Sequence, residues 1–566
     1  MDIEKQLEHE KNEESPSQSH SHSPQESIQI LEPIGIEEPP LPTVYPSQWR
    51  LTMIVVTICT ASMFAMSDQT GIPLLLSFIG ENLGSNKSIQ WAGTGALICS
   101  TISNIFVGRA VNLFGNKILF LIGLAIICIF EILCYFVKDK ITFYICRSLT
   151  GLGNGGIISI SMVIMSDVVH PKRRGTFQGI LGFSIGVGSC IGPYIASGFV
   201  NHDKTSGWRK YFCFMGLMFL FILILSILSI PNKLIQQKLD CFPTRKARWL
   251  SIDYGGLFLS IATVILALIP LNMGGLLWDW DSLPIILCST FAIVALVLLI
   301  IVECTFPKTA VIPPKFFNNF KVSNFLIQTF LISIIYSSMI YYIPFYLTAI
   351  QEKNISEVPH YFLALLIPLS LSSFGSGLLT SYLNQQKYVI IGGFTLLFIG
   401  VVLLSVLLET STSDIANIFI FITIGTGAGF IFTPTTVAIQ NQVNPNEKSV
   451  VLSTKGVFKT LGHSVGVAIS SMIYTNTLLN ELDKIDIIKP SDITFVLKNV
   501  YKKMTLNYAY NGTELNVIET IYSTSLKNVF LSYIPLAIIC LILSMFINEK
   551  PNTSRDQSQQ EQQEQQ

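Results

Sequence analysis

Charge is scarce in this chain. Only 13% of its 566 residues are Asp, Glu, Lys or Arg, about half the roughly 25% of an ordinary soluble domain. Acidic and basic residues balance at 36 each, so no basic excess points to nucleic acid. The 11 cysteines form no Cys-x-x-Cys pair and sit mostly inside apolar runs, as at Cys59, Cys128, Cys134, Cys288 and Cys540, which excludes a disulfide framework and a zinc site. No G-x-x-x-x-G-K-[ST] run occurs, so there is no P-loop. H-E-x-x-H, G-x-S-x-G and a potassium-filter sequence are missing too. His170, His202, His360 and His463 have no metal-site companions. The reading is not an enzyme, with no metal and no cofactor; energy for any transport comes from a gradient or from another chain. The first 49 residues lack the charged and apolar regions of a cleaved signal peptide.

What the chain has is apolar residues, 50% of the total, with a mean hydropathy of +0.53, gathered in runs long enough to cross about 30 Å of hydrocarbon. Fourteen spans are predicted, at 51–79, 91–107, 118–136, 141–165, 179–199, 211–230, 254–273, 282–302, 324–347, 361–380, 388–408, 415–435, 451–475 and 529–547. The fold class is an all-α polytopic membrane protein. Residues 1–49 and 550–566, rich in Ser, Gln and Glu, read as disordered tails around a membrane domain at 50–549, with a long loop at 476–528. An even number of spans puts both tails on one side. Lys and Arg are richer in the short loops of that side, which makes it cytoplasmic. The sequons at Asn86, Asn354 and Asn511 fall on the opposite side and are candidate glycosylation sites, while Asn552 lies in the cytoplasmic tail.

Ionisable groups inside hydrocarbon are costly and therefore candidate functional groups. Asp68 lies mid-span in a breakable Ser67-Asp68-Gln69-Thr70-Gly71-Ile72-Pro73 segment, and Arg147 lies in span 4. They read either as a proton relay or as a static bridge. Asp167 and Glu131 are further intramembrane acids. The span-5 run around Gly188, Gly192 and Pro193 lets helices approach and bend, as a tight static seam or as a hinge. Lys455, Lys459 and His463 share one face of span 13 by four-residue spacing. The two lysines read as snorkelling toward the cytoplasmic end. Asn154, Gln328 and Gln440 are polar at membrane depth, and Tyr336, Tyr341 and Tyr342 are candidates for a cavity lining.

In order along the chain, several segments match known motifs. Asp68-Gln69-Thr70 resembles a D-x-T motif in span 1, and Trp91-Ala92-Gly93-Thr94 a W-x-x-T opening of span 2. Gly108-Arg109-Ala110-Val111-Asn112-Leu113-Phe114-Gly115-Asn116-Lys117 resembles the gating motif G-x-L-A-D-R-x-G-R-K, with Asn112 in place of its Asp. Arg147 to Gly153 matches R-x-x-x-G-x-G of span 4. Arg174 to Gly179 resembles R-G-x-x-Q-G. Gly188 to Pro193 resembles the start of the antiporter signature G-x-x-x-G-P-x-x-G-G, and Lys459 to Gly466 resembles R-x-L-G-G-S-x-G. Together these resemble the major facilitator superfamily, specifically its fungal fourteen-span drug:proton antiporter group, which includes vacuolar basic amino acid transporters.

The resemblance implies two six-helix halves, 51–230 and 324–547, with two linking helices at 254–302. It implies proton coupling through Asp68 and Arg147, and gating and hinge roles for Gly108, Asn112, Gly115, Lys117, Gly188, Gly192 and Pro193. The expected substrate cavity includes Trp91, Thr94, Asn154, Tyr336, Tyr341, Tyr342, Gln440 and His463. The expected function is a proton antiporter, acting as a monomer in the bilayer on a small-molecule substrate. Export of drugs or toxic amphiphiles is favoured by the tyrosines and the few acids. Loading of Lys, Arg or His into the vacuole is the alternative, and a non-transporting nutrient sensor an alternative of another class. The membrane is either the plasma or the vacuolar membrane.

Overall fold

The computed structural model describes residues 47–84, 88–203, 206–231, 253–274, 278, 280–305, 310–351, 353, 357–383, 385–407, 413–444, 447–483 and 512–547. Residues 1–46, the sequons at Asn86, Asn354, Asn511 and Asn552, and the segment 550–566 lie outside the described residues.

Long helices occupy every predicted span. They are α1 (Gln48–Asn82), α2 (Gln90–Phe114), α3 (Asn116–Phe136), α4 (Lys140–Val168), α5 (Arg174–His202) and α6 (Gly207–Ser229), then α7 (Tyr254–Met273) and α8 (Leu283–Thr305), then α9 (Phe320–Ala349), α10 (Val358–Leu383), α11 (Lys387–Val406), α12 (Asp414–Asn441) and α13 (Lys448–Asp483). The last span is split at Ser532 into α14 (Gly512–Leu531) and α15 (Tyr533–Met545). Among the described residues, 13 helices are long and apolar enough to cross a membrane. The remaining predicted span, the thirteenth along the chain, is α13, which has 36 residues and carries Lys455, Lys459 and His463 toward the interior.

Sequence explains the ends. The Asp139 carboxylate accepts the Thr142 N–H at 2.9 Å to start α4, and Asp253 accepts Gly256 N–H at 2.7 Å to start α7. Gly115, at φ +85°, turns α2 into α3 through backbone geometry open to glycine. Two expectations are corrected. Span 1 is not broken: α1 runs unbroken through Asp68 and Pro73, because Ser67 and Thr70 return their hydroxyls to the Met63 and Met66 carbonyls and Asp68 is ion-paired. The long loop is shorter than 476–528, since α13 continues to Asp483 and α14 begins at Gly512.

The bundle has the inverted polarity expected of a lipid solvent. Large apolar side chains point outward, as along α8 at Leu287, Phe291, Val294 and Leu298, while Thr101, Asn154, Gln328 and Ser376 are buried. In one half α1 packs on α5, α2 and α6 flank α3 and α4; in the other α9 packs on α13 and α10 and α11 on α12. The α7–α8 pair joins them, with α7 lying against both α2 and α13. The halves meet through α5 on α10 and α2 on α13.

Candidate functional site

α4 presents Arg147, Gly151, Asn154 and Gly155 along one helical face. A Cβ on Gly151 or Gly155 would meet the α2 backbone at Ala96 or Ser100, so glycine there lets α4 approach α2. This brings Arg147 against α1 and α3. Its Nη2 donates to Asp68 Oδ2 at 3.1 Å and its Nη1 to Glu131 Oε1 at 2.6 Å, with all three side chains buried. Asn154 Nδ2 donates to the same Asp68 oxygen at 3.0 Å. The Phe212 ring lies 5.5 Å from the guanidinium carbon. Among the described residues, Glu131 Oε2 and Arg147 Nε have no hydrogen-bond partner. One guanidinium thus faces two carboxylates.

Arg147 and Asn154 also line a cavity of about 400 Å³ between the halves. Its opposite wall is α13, which contributes Lys455, Lys459 and His463. The sequence reading of snorkelling lysines is corrected for Lys455: its Nζ is buried and donates to the Thr435 and Thr436 hydroxyls at 2.9 and 2.7 Å. Lys459 Nζ stands 5.3 Å from the centre of the Phe432 ring. His463 Nε2 is buried with no hydrogen-bond partner. Among the described lining residues there is no Asp or Glu, and Phe432 is the one Phe, Tyr or Trp.

Several cavity expectations therefore fail. Tyr341 is exposed on the outer surface of α9, and Tyr342 is buried against Tyr474 with ring centres 6.0 Å apart. Tyr336 backs the wall, edge-on to Phe432 at 5.5 Å. Trp91 packs on Trp278 at 6.0 Å, and Thr94 is buried outside the lining. Gln440 instead joins the halves, its Oε1 accepting the Ser166 hydroxyl at 2.7 Å. Only Asn154 and His463 of that set line the cavity. A run of tyrosines on a helix gives no sign of which face meets lipid, and this is why they misled.

Contacts between halves gather at the end where α2 and α4 stop and α5 and α13 start, the side of the tails. Gly108 lies against Val450 and Ser453, and Gly175 and Gly179 against the α10 backbone around Gly377. Ser381 Oγ accepts the Thr176 N–H at 2.9 Å. These contacts close the cavity on the tail side. The expected seam is corrected: Gly188 and Gly192 pack on α1, over Met63 and Ser67, within their own half, and Pro193 sits inside an unbroken α5. The seam is built instead from Gly175, Gly179 and Gly186, whose Cβ positions face α10, and Gly182, whose Cβ position faces Thr433 of α12 and Ser373 of α10.

Of the remaining residues of the Gly108–Lys117 motif, Asn116 and Lys117 tie their own half together. Asn116 Nδ2 donates to Asp167 Oδ2 at 2.7 Å, and Lys117 Nζ to the Ile227 carbonyl at 3.2 Å. Arg109 donates to the Ala310 carbonyl, reaching the segment that enters the second half. The Arg174 and Gln178 side chains donate to the α4 carbonyls of Ser166 and Met162 at 3.1 and 2.8 Å, which is the physical content of the R-G-x-x-Q-G motif. Among the described residues, no group of three or more His, Cys, Asp or Glu could hold a metal ion.

The family model described as Major Facilitator Superfamily matches residues 58–240 and 239–467. Over 501 residues the chain is 27% identical to "Citrate exporter 1" of Yarrowia lipolytica, covering 88% of this chain and 72% of that protein. It is 25% identical over 446 residues to "Multidrug transporter protein MdtP" of Bacillus subtilis, covering 77% and 79%. The solved human organic anion transporter MFSD10 superposes with a TM-score of 0.56 at 11% identity, covering 88% of this chain and 100% of that one.

Proposed function

Because this chain belongs to the major facilitator superfamily, and is a multi-pass membrane transporter, we propose that it moves small molecules by alternating access of its two halves, driven by protons that bind at the Asp68–Arg147–Glu131 cluster. One observation carries this reading: Arg147 belongs both to the buried cluster and to the cavity wall. With both carboxylates ionised the cluster holds one negative charge in excess in a medium where unbalanced charge is costly. A proton on either carboxylate restores balance. That exchange changes the hold on Arg147, and with it the wall that meets cargo.

Antiport out of the cytosol follows from the span-5 resemblance, and both tails on the cytoplasmic face follow from the loop charges. Plasma and vacuolar membranes both fit. Of the two cargo expectations, amphiphiles called for an aromatic wall and basic amino acids for carboxylates in the lining. The described lining offers neither. Similar proteins include a citrate exporter and a multidrug transporter.

The test is uphill accumulation in vesicles reconstituted with purified protein, under an imposed pH gradient, across a panel of amphiphiles, amino acids and organic acids. The reading requires at least one compound to accumulate and a protonophore to abolish it. Accumulation unaffected by the protonophore contradicts proton drive, and no movement of any compound by folded protein contradicts transport.

A further inference from the structure

Resting on that reading, we infer that the cargo is a small organic anion bearing two or more carboxylates, held on the α13 wall of the cavity by Lys455, Lys459 and His463. These residues follow at four-residue steps, each about 6 Å along the axis, so three basic groups rise in a column on one face. Among the described residues none of them has a carboxylate partner. Lys455 Nζ has only the Thr435 and Thr436 hydroxyls and, at 3.5 Å, the Phe432 carbonyl. Lys459 Nζ has the face of the Phe432 ring. Among the described residues His463 Nε2 has no hydrogen-bond partner, although it is buried and its residue lines the cavity.

Buried charge is normally matched by a counter-charge. The other lining cation, Arg147, has one in Asp68 and Glu131. The α13 column has none among the described residues, so its counter-charge comes from what enters. Successive ammonium groups one turn apart suit carboxylates set on neighbouring carbons of a short chain. The Thr433 hydroxyl and the Asn104 amide, also in the lining, supply neutral polar groups for the remaining hydroxyl or carboxylate oxygens. A lipophilic cation or a basic amino acid meets like charge on this wall instead.

The test uses purified full-length protein in detergent at constant ionic strength. Thermal unfolding is followed with citrate, succinate, acetate, inorganic phosphate, arginine or tetraphenylphosphonium, because a ligand of the folded state raises the midpoint. The expected result is stabilisation by citrate and succinate, less by acetate, and none by arginine or tetraphenylphosphonium. K459Q loses the effect, K459R keeps it, and succinate uptake into vesicles falls at least tenfold in K459Q and in H463Q. Half-buried Lys459 is the first variant, and a K459Q that does not fold leaves the decision to the wild-type ligand series. Stabilisation by phosphate alone, by the cations alone, or equally in wild type and K459Q overturns the inference. Protein that couples protons to an amphiphile yet ignores every carboxylate loses this inference while the transport reading stands.

Discussion

Arg147 holds Glu131 at 2.6 Å, across the contact between α4 and α3, while its other nitrogen grips Asp68 of α1. Three helices of one half are therefore fastened through a single guanidinium. Removing it leaves two buried carboxylates unpaired, which costs about 3–5 kcal/mol by comparison with other broken buried pairs. R147M is expected to fall in thermal stability and in yield, whereas E131Q, which leaves one acid and one base, folds. Equal stability of R147M and wild type would contradict the geometry.

The tail-side closure depends on glycine in α5. A Cβ on Gly179 would stand 3.0 Å from the Phe374 and Ser373 carbonyl oxygens, a contact tight enough that the neighbouring backbone must give by a few tenths of an ångström. G179A is expected to push α10 away at a cost of about 1–3 kcal/mol and to favour the state open toward the tails. Maleimide labelling of S453C in detergent should speed up in the G179A background. Unchanged labelling alongside lower stability would make the seam static packing.

At the opposite end Lys353 Nζ lies 2.7 Å from Asp414 Oδ1, with both side chains partly exposed. The hydrogen bond to Asp414, and one to Tyr361, raise the Lys353 ammonium above its ordinary value. With Asp414 ionised, the Lys353 contribution is then fully present below the unfolded value of about 10.4 and is lost as pH rises through the higher folded value; in acid it is lost as Asp414, held below its ordinary value by the same bond, takes up a proton. Exposed pairs contribute within about 1 kcal/mol, so K353M should leave the unfolding midpoint nearly unchanged at pH 7 and transport intact. A large loss of stability at pH 7 would show a buried role.

Sidedness is read from glycans. If the tails are cytoplasmic, Asn511 faces the lumen or exterior, and N511Q should remove a glycosidase-sensitive shift in mobility. A glycan on Asn552 reverses the topology.

Much of this was legible in the chain. Runs of apolar residues mark the spans because hydrocarbon leaves the backbone few options, and Asp68 and Arg147 stand out because charge at that depth needs a reason. Glu131 was visible as an acid, but only the folding of α3 onto α4 gives it Arg147. The column of Lys455, Lys459 and His463 was visible as a shared face. Its direction was not, because a lysine near a span end can turn to water or inward, and packing of α13 between α2 and α9 decides it. Tyr341 and Tyr342, adjacent in sequence, end on the outer surface and in the core, since successive helical residues point about 100° apart. Gly188 and Gly186 likewise serve different partners, α1 and α10.

The most direct test of proton drive at the Asp68 cluster is cargo-induced collapse of an imposed pH gradient, followed by a fluorescent pH probe in vesicles holding wild type or D68N. The prediction is that cargo discharges the gradient with wild type and leaves it standing with D68N, while D68N still exchanges labelled for unlabelled cargo. Discharge by D68N at the wild-type rate, or cargo flux through wild type with no proton movement, would contradict it.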